Sequence, residues 1–148
     1  VCEASAADCL YRSAVKKTGE LVNVSGDLNT IMAGLACGEG NTIGWDILRN
    51  HAAVFASCPD WMSAKATRIY ANPLNEDPHI VSGESGSVPL GLVYTALHDA
   101  DASDLKDALK LDENSSVLVI STEGDTDPVR YREIVWDGLY GTDKSLSK

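Results

Sequence analysis

The chain has 148 residues, of which 44% are hydrophobic and 23% charged, the content of one ordinary globular domain and not of a disordered segment. Against 22 Asp and Glu stand only 12 Lys and Arg, a formal charge of -10 that leaves no basic face for the phosphates of nucleic acid. No apolar run approaches the roughly 18–20 residues of a membrane span, and no secretory-leader pattern is visible, so the sequence predicts a cytoplasmic protein with no membrane partner.

Taken in order, Val1-Cys2-Glu3-Ala4 reads as the end of a strand with no initiator methionine, and the expectation is a piece of a longer protein. Residues 6–17 predict a helix, with Leu10, Ala14 and Val15 on one side and Gly19 placed to end it. Residues 21–24 predict a short strand. Four glycines between 34 and 44 point to close backbone approaches around a ligand or a neighbouring segment. A short helix over 45–51, a strand over 54–56 and a helix over 59–71 follow, the last carrying Met62, Ala66, Ile69 and Tyr70 on one stripe.

A helix is predicted from about Ser85 to Leu97, and another capped by Asp101. Residues 116–120 form the clearest predicted strand. Asp127-Pro128 then predicts a cap with proline in the first helical turn, opening a helix with Tyr131, Ile134 and Val135 turned inward. Residues 139–148 read as a polar, frayed tail. Short, continuously apolar strands separated by helices predict an α/β fold, a three-layer, mostly parallel sheet of three or four strands flanked by helices.

Two polar clusters lead into helices: Ser82-Gly83-Glu84-Ser85-Gly86-Ser87, and Ser121-Thr122-Glu123-Gly124-Asp125-Thr126-Asp127. A strand that ends in a Ser/Thr/Gly turn and restarts as a helix is how open α/β sheets build ligand crevices. The helix start near Ser85 offers unpaired N–H groups to an anion. It lacks the ending of a Walker loop, and Glu84 suits a polar ring, hydroxyl or amine better than a phosphate. The acids after Ser121 lack the register of a calcium loop, and helix capping accounts for part of their charge.

His51, His79 and His98 have no ligand-like spacing, and Trp45, Trp61 and Trp136 read as core or domain contacts. Cys2, Cys9, Cys37 and Cys58 contain no CxxC pair, which argues against zinc and leaves free thiols as the default in a reducing compartment. These readings alone leave a surface turn with a capped helix and a binding crevice both open.

Five segments carry a longer likeness. Asp8-Cys9-Leu10-Tyr11-Arg12-Ser13, Thr30-Ile31-Met32-Ala33-Gly34-Leu35-Ala36-Cys37-Gly38, Ser57-Cys58-Pro59-Asp60, Ser82-Gly83-Glu84-Ser85-Gly86 and the cluster from Ser121 through Tyr131-Arg132-Glu133 together resemble the C-terminal part of the diaminopropionate ammonia-lyases. These belong to the fold type II group of pyridoxal 5′-phosphate enzymes, related to tryptophan synthase β. The likeness runs over residues 1–138.

The resemblance implies α,β-elimination of 2,3-diaminopropionate to pyruvate and ammonia. It places Ser121 at the pyridine nitrogen, with Thr122 beside it and Glu84, Ser85 and Gly86 along the ring. It also implies that Cys9 and Cys37 can meet in a disulfide, that the parent is a homodimer, and that the catalytic residues lie in an N-terminal part. None of Lys16, Lys17, Lys65, Lys106, Lys110, Lys144 or Lys148 falls in a motif that would carry the cofactor. A threonine- or serine-dehydratase-like lyase of the same fold, and a non-catalytic binding module, are the competing readings.

Overall fold

A computed structural model describes residues 1–141. Lys144, Lys148 and most of the expected tail, residues 142–148, lie outside the described residues. The chain divides into two compact units, Val1–Pro59 and Asp60–Lys148.

The first unit begins with strand β1 (Cys2–Ala4), followed by helix α1 (Cys9–Lys16), a 3-10 turn at Ala33–Leu35, helix α2 (Thr42–His51) and strand β2 (Ala56–Cys58). β1 and β2 pair in parallel with Cys2 opposite Ala56 and Ala4 opposite Cys58. Ala4 and Cys58 are wholly buried, which fits a short parallel pair whose faces are covered. Helix α1 is shorter than predicted, starting at Cys9 after a turn in which the Ala7 N–H donates to the Ala4 carbonyl at 2.8 Å. Its left-handed end falls at Lys17, with Gly19 two residues on.

The start of α1 is held from a distance. The Glu3 carboxylate, 8% exposed, accepts from the Leu10 N–H at 3.0 Å and the Tyr11 N–H at 2.7 Å. Asp8 accepts instead from the Arg12 guanidinium at 2.7 Å and the Ser57 hydroxyl at 2.8 Å. Trp45 is buried as predicted, and its ring N–H donates to the Gly19 carbonyl at 2.8 Å.

The second unit is helical: α3 (Asp60–Ala71), α4 (Glu84–His98), a 3-10 turn at Ala100–Ala102, α5 (Ser103–Leu109) and α6 (Pro128–Val135). The contact between α3 and α4 is lined by small residues. Ser63, Ala64, Ala66 and Thr67 are buried on α3; Ser87, Val88, Gly91, Leu92 and Thr95 are buried on α4. Where Gly91 faces Met62, a methyl group would sit 2.2 Å from the Met62 carbonyl oxygen, so the two backbones touch directly.

Asp127 caps α6 as its sequence predicts, accepting from the Arg130 N–H at 3.0 Å, with Pro128 in the first turn. Such a cap contributes about 1 kcal/mol. Ile134 is the fully buried residue of this helix, and Tyr131 and Val135 are half-buried.

Several expectations need correction. Residues 116–120 form no strand: Leu118 is 87% exposed and Ile120 69%, and no described strand lies beside them to take their backbone hydrogen bonds. Residues 21–24 are likewise unpaired as a strand; the Val24 N–H donates to the Gly38 carbonyl at 2.8 Å, without a ladder. The sheet therefore has two described strands and not three or four.

Asp99, not Asp101, provides the side-chain cap before the third helix of this unit, and that helix begins at Ser103. Trp136 is 75% exposed, with the Arg132 guanidinium over its ring, so it is no core residue. The chain past Gly138 is not frayed at its start, since the Arg68 guanidinium donates to the carbonyls of Ile134, Leu139 and Tyr140.

Candidate functional site

The two polar clusters meet within the second unit. Ser82 is fully buried on the turn into α4, and its hydroxyl lies 2.7 Å from that of Ser121. Ser121 and Thr122 are exposed on the turn that follows residues 116–120. At Gly86, in the first turn of α4, a methyl group would stand 2.9 Å from both serine oxygens. A side chain there would displace the hydroxyl pair, which is why the segment has glycine at this point.

The Ser121 proton has two acceptors within the chain, of unequal distance. It can point to Ser82 or, at a long 3.4 Å, to the Glu123 carbonyl oxygen. Ser82 can in turn donate to the Gly83 carbonyl at 3.2 Å or to Ser121. When Ser82 donates to Ser121, the Ser121 proton is free to serve an outside acceptor.

The start of α4 is not open to an outside anion. Glu123 supplies the negative charge itself, accepting from the Ser85 N–H at 2.7 Å and the Gly86 N–H at 3.2 Å. Local sequence signals could not have identified this cap, because the carboxylate comes from a turn 37–38 residues further along.

Glu84, the first residue of α4, is 5% exposed, and one of its carboxylate oxygens is buried with no hydrogen-bond partner. Burial pushes its carboxyl above the usual range, and the charges of Glu123 and Asp127 push it further the same way. The Tyr131 hydroxyl is a second buried oxygen without a partner, its acidity lowered by burial and then by Asp125. Ser85 is half-buried beside Glu84. Ser82, not proposed from sequence as a site residue, thus belongs to the site through its hydroxyl contact with Ser121; the quoted family segments contained it without singling it out.

A cleft of about 400 Å³ on α3 and α4, lined by Trp61, Lys65, Tyr94 and His98, contains none of the predicted site residues. In the first unit, all four cysteines are free thiols. Cys9 and Cys37 are nonetheless neighbours, with the Cys9 sulfur 3.8 Å from the Cys37 carbonyl oxygen. Burial, then the nearby Glu3 carboxylate, pushes the Cys9 thiol up to about 11. Among the described residues no helix is long and apolar enough to cross a membrane.

No family model matches the sequence. The diaminopropionate ammonia-lyase of Escherichia coli strain K12 is 52% identical over 140 residues, 95% of this chain and 35% of the relative. That of Salmonella typhimurium strain LT2 is 48% identical over 139 residues, 93% of this chain and 34% of the relative. Among solved structures, the E. coli lyase in complex with its aminoacrylate–pyridoxal phosphate azomethine reaction intermediate matches with a TM-score of 0.85. It is 48% identical in sequence, over 95% of this chain and 34% of that one.

The α/β class with parallel strands expected from the sequence is thereby shared with a fold type II enzyme. The chain spans about a third of the length of the curated relatives it matches. Over nearly all of its own residues, it is a relative of the diaminopropionate ammonia-lyases.

Proposed function

We propose that the protein carrying this sequence is a pyridoxal-phosphate-dependent ammonia-lyase that eliminates both amino groups of 2,3-diaminopropionate to give pyruvate and ammonia. Within it, these residues would form the pyridine-nitrogen side of the cofactor site. The observation that carries this reading is the Ser82–Ser121 hydroxyl pair seated against Gly86, on a turn that the family's sequence shares.

The residues present fit such a ring. Ser121 has a hydroxyl proton available to a neutral aromatic nitrogen when Ser82 donates to it, and Gly86 leaves the room that the two hydroxyls occupy. The orphaned oxygen of Glu84 belongs to a carboxyl whose pKa burial raises, and with no protein partner it can accept a hydrogen bond from a ring substituent or a substrate amine. Thr122, Ser85 and Gly86 complete the proposed edge. When bound, the cofactor supplies the electron sink for bond cleavage at the substrate's α- and β-carbons.

The chain's own residues orient and tune. A neutral hydroxyl at residue 121 donates a proton's share without delivering a charge, so the nitrogen it faces stays largely unprotonated. A carboxylate in its place would hold that nitrogen in the protonated form. The groups that carry the cofactor and move the α-proton are assigned to the remaining two thirds of the length found in the relatives. A homodimer in the cytoplasm completes the proposal; its support is the resemblance.

Turnover tests the activity directly. The whole protein, loaded with cofactor, is expected to release pyruvate from diaminopropionate faster than from serine or threonine. Equal or faster release from threonine would favour a dehydratase-like lyase, and no release from any of the three would favour a binding module.

We also propose that Cys9 and Cys37 form the disulfide implied by the resemblance. It would close a loop of about 28 residues, worth roughly 3–4 kcal/mol by chain entropy. Oxidised glutathione is expected to lower the intact mass by two hydrogens and raise the melting temperature, and Cys37→Ser to abolish both changes. Because the Cys9 thiol titrates near 11, attack by Cys9 accelerates as pH rises toward that value. An unchanged mass at pH 9 would contradict the pairing.

A further inference from the structure

We propose that Glu123 is a positioning residue that aims the Ser121 hydroxyl, a role that rests on reading Ser121 as the partner of the ring nitrogen. Glu123 is attached to the start of α4 at both ends. Its carboxylate accepts from the Ser85 and Gly86 N–H groups, and its own carbonyl accepts from the Gly83 N–H at 3.0 Å. Its stem lies directly over Gly83, where a methyl group would come within 2.6 Å of the Glu123 Cγ and 2.3 Å of the Gly124 carbonyl oxygen. Three hydrogen bonds and one close contact thus fasten the turn carrying Ser121 to the turn carrying Ser82.

Ser121 is only two residues from this attachment, and residues 116–120 on its other side, exposed except for the half-buried Val119, are unpaired in a sheet. Within the second unit, the fixed reference for its hydroxyl is therefore Ser82 on one hand and the Glu123 anchor on the other. Charge and reach both favour glutamate. The helix start attracts a negative group, and an aspartate would fall short by about one carbon–carbon bond, roughly 1.5 Å. Glutamine keeps the reach and one acceptor oxygen but loses the charge.

The test is cofactor affinity of the whole apo-protein, followed by fluorescence or absorbance, together with kcat and KM, in a double-mutant cycle. Glu123→Ala is expected to weaken cofactor binding and lower kcat by about threefold, within the loss expected of Ser121→Ala because it acts through that hydroxyl. Glu123→Gln is expected to restore most of the loss, and Glu123→Asp is not. In a Ser121→Ala background, Glu123→Ala is expected to add less than twofold, since the hydroxyl it aims is gone.

An equal loss in both backgrounds would show that Glu123 acts on the fold alone and would overturn the proposal. So would a Glu123→Ala protein that binds cofactor normally while Ser121→Ala does not; the reading of Ser121 would then survive. If neither variant alters affinity or kcat, the ring-nitrogen reading falls and Glu123 with it. Should Glu123→Ala fail to fold by circular dichroism, the contrast between Glu123→Gln and Glu123→Asp decides in the same way.

Discussion

Gly91→Ala is expected to destabilise the protein by about 1–3 kcal/mol or more, the range of core overpacking. The added methyl would stand 2.2 Å from the Met62 carbonyl oxygen and 2.7 Å from its carbon. Both obstructing atoms are backbone, so no side chain can swing aside; α4 must move away from α3. That displacement would open the layer of Ser63, Thr67, Val88 and Thr95, all buried there. For a typical stability of about 5–15 kcal/mol the loss is a large fraction, and a domain of this size would melt several degrees lower. Gly124→Ala is the matching control, because nothing lies within 4 Å of its added methyl. Thermal unfolding followed by circular dichroism should separate the two variants; equal melting temperatures would contradict the direct backbone contact.

The second large effect is expected at Ser121. Ser121→Ala removes one neutral hydrogen bond and should weaken cofactor affinity by roughly 3–10-fold. Ser121→Asp should cost more, about 100-fold in kcat, on the scale of a misplaced electrostatic group in an active site. It puts a carboxylate against Ser82, on the turn that already holds Glu123, and near Glu84 and Asp127, whose charges influence one another. It would also hold the facing nitrogen protonated and move the absorbance of the bound cofactor. The sign of the pH response follows from Glu84: its carboxyl is raised in the folded protein, so the favourable neutral form prevails at low pH and is lost as pH rises through that value. An added carboxylate at 121 shifts this loss to still higher pH. A Ser121→Asp protein with unchanged kcat, spectrum and pH profile would place residue 121 away from the ring.

What could be read from sequence follows the range of the forces involved. Helix α6 was legible because its start signal is local: Asp127 caps, Pro128 follows, and Ile134 marks the inner face. α3 and α4 were legible from their periodicity and length instead, and their bounds fall within a residue or two of the prediction. The strand over 116–120 was misread because an apolar β-branched run signals a strand only when a neighbour takes its hydrogen bonds, and none is present among the described residues. The caps of α1 and α4 were illegible for the opposite reason. Glu3 and Glu123 reach these helix starts from other elements: Glu3 lies outside the cap positions of α1, and no window around Glu84 contains Glu123.

The candidate site was legible in part. Both clusters were visible as polar turns before helices, and family likeness singled out Ser121. The buried hydroxyl of Ser82 was hidden within its own cluster, since only the approach of residue 121 distinguishes it from Ser85 and Ser87. The expected anion site at the start of α4 was sound physics answered from within the chain.

The most direct test of the cofactor assignment is the crystal structure of the whole protein with pyridoxal 5′-phosphate bound. We expect the Ser121 oxygen to lie about 2.7–3.2 Å from the pyridine nitrogen, at ordinary hydrogen-bond distance. A pyridine nitrogen facing any other side chain, with the serine oxygen still committed to Ser82 alone, would contradict the account.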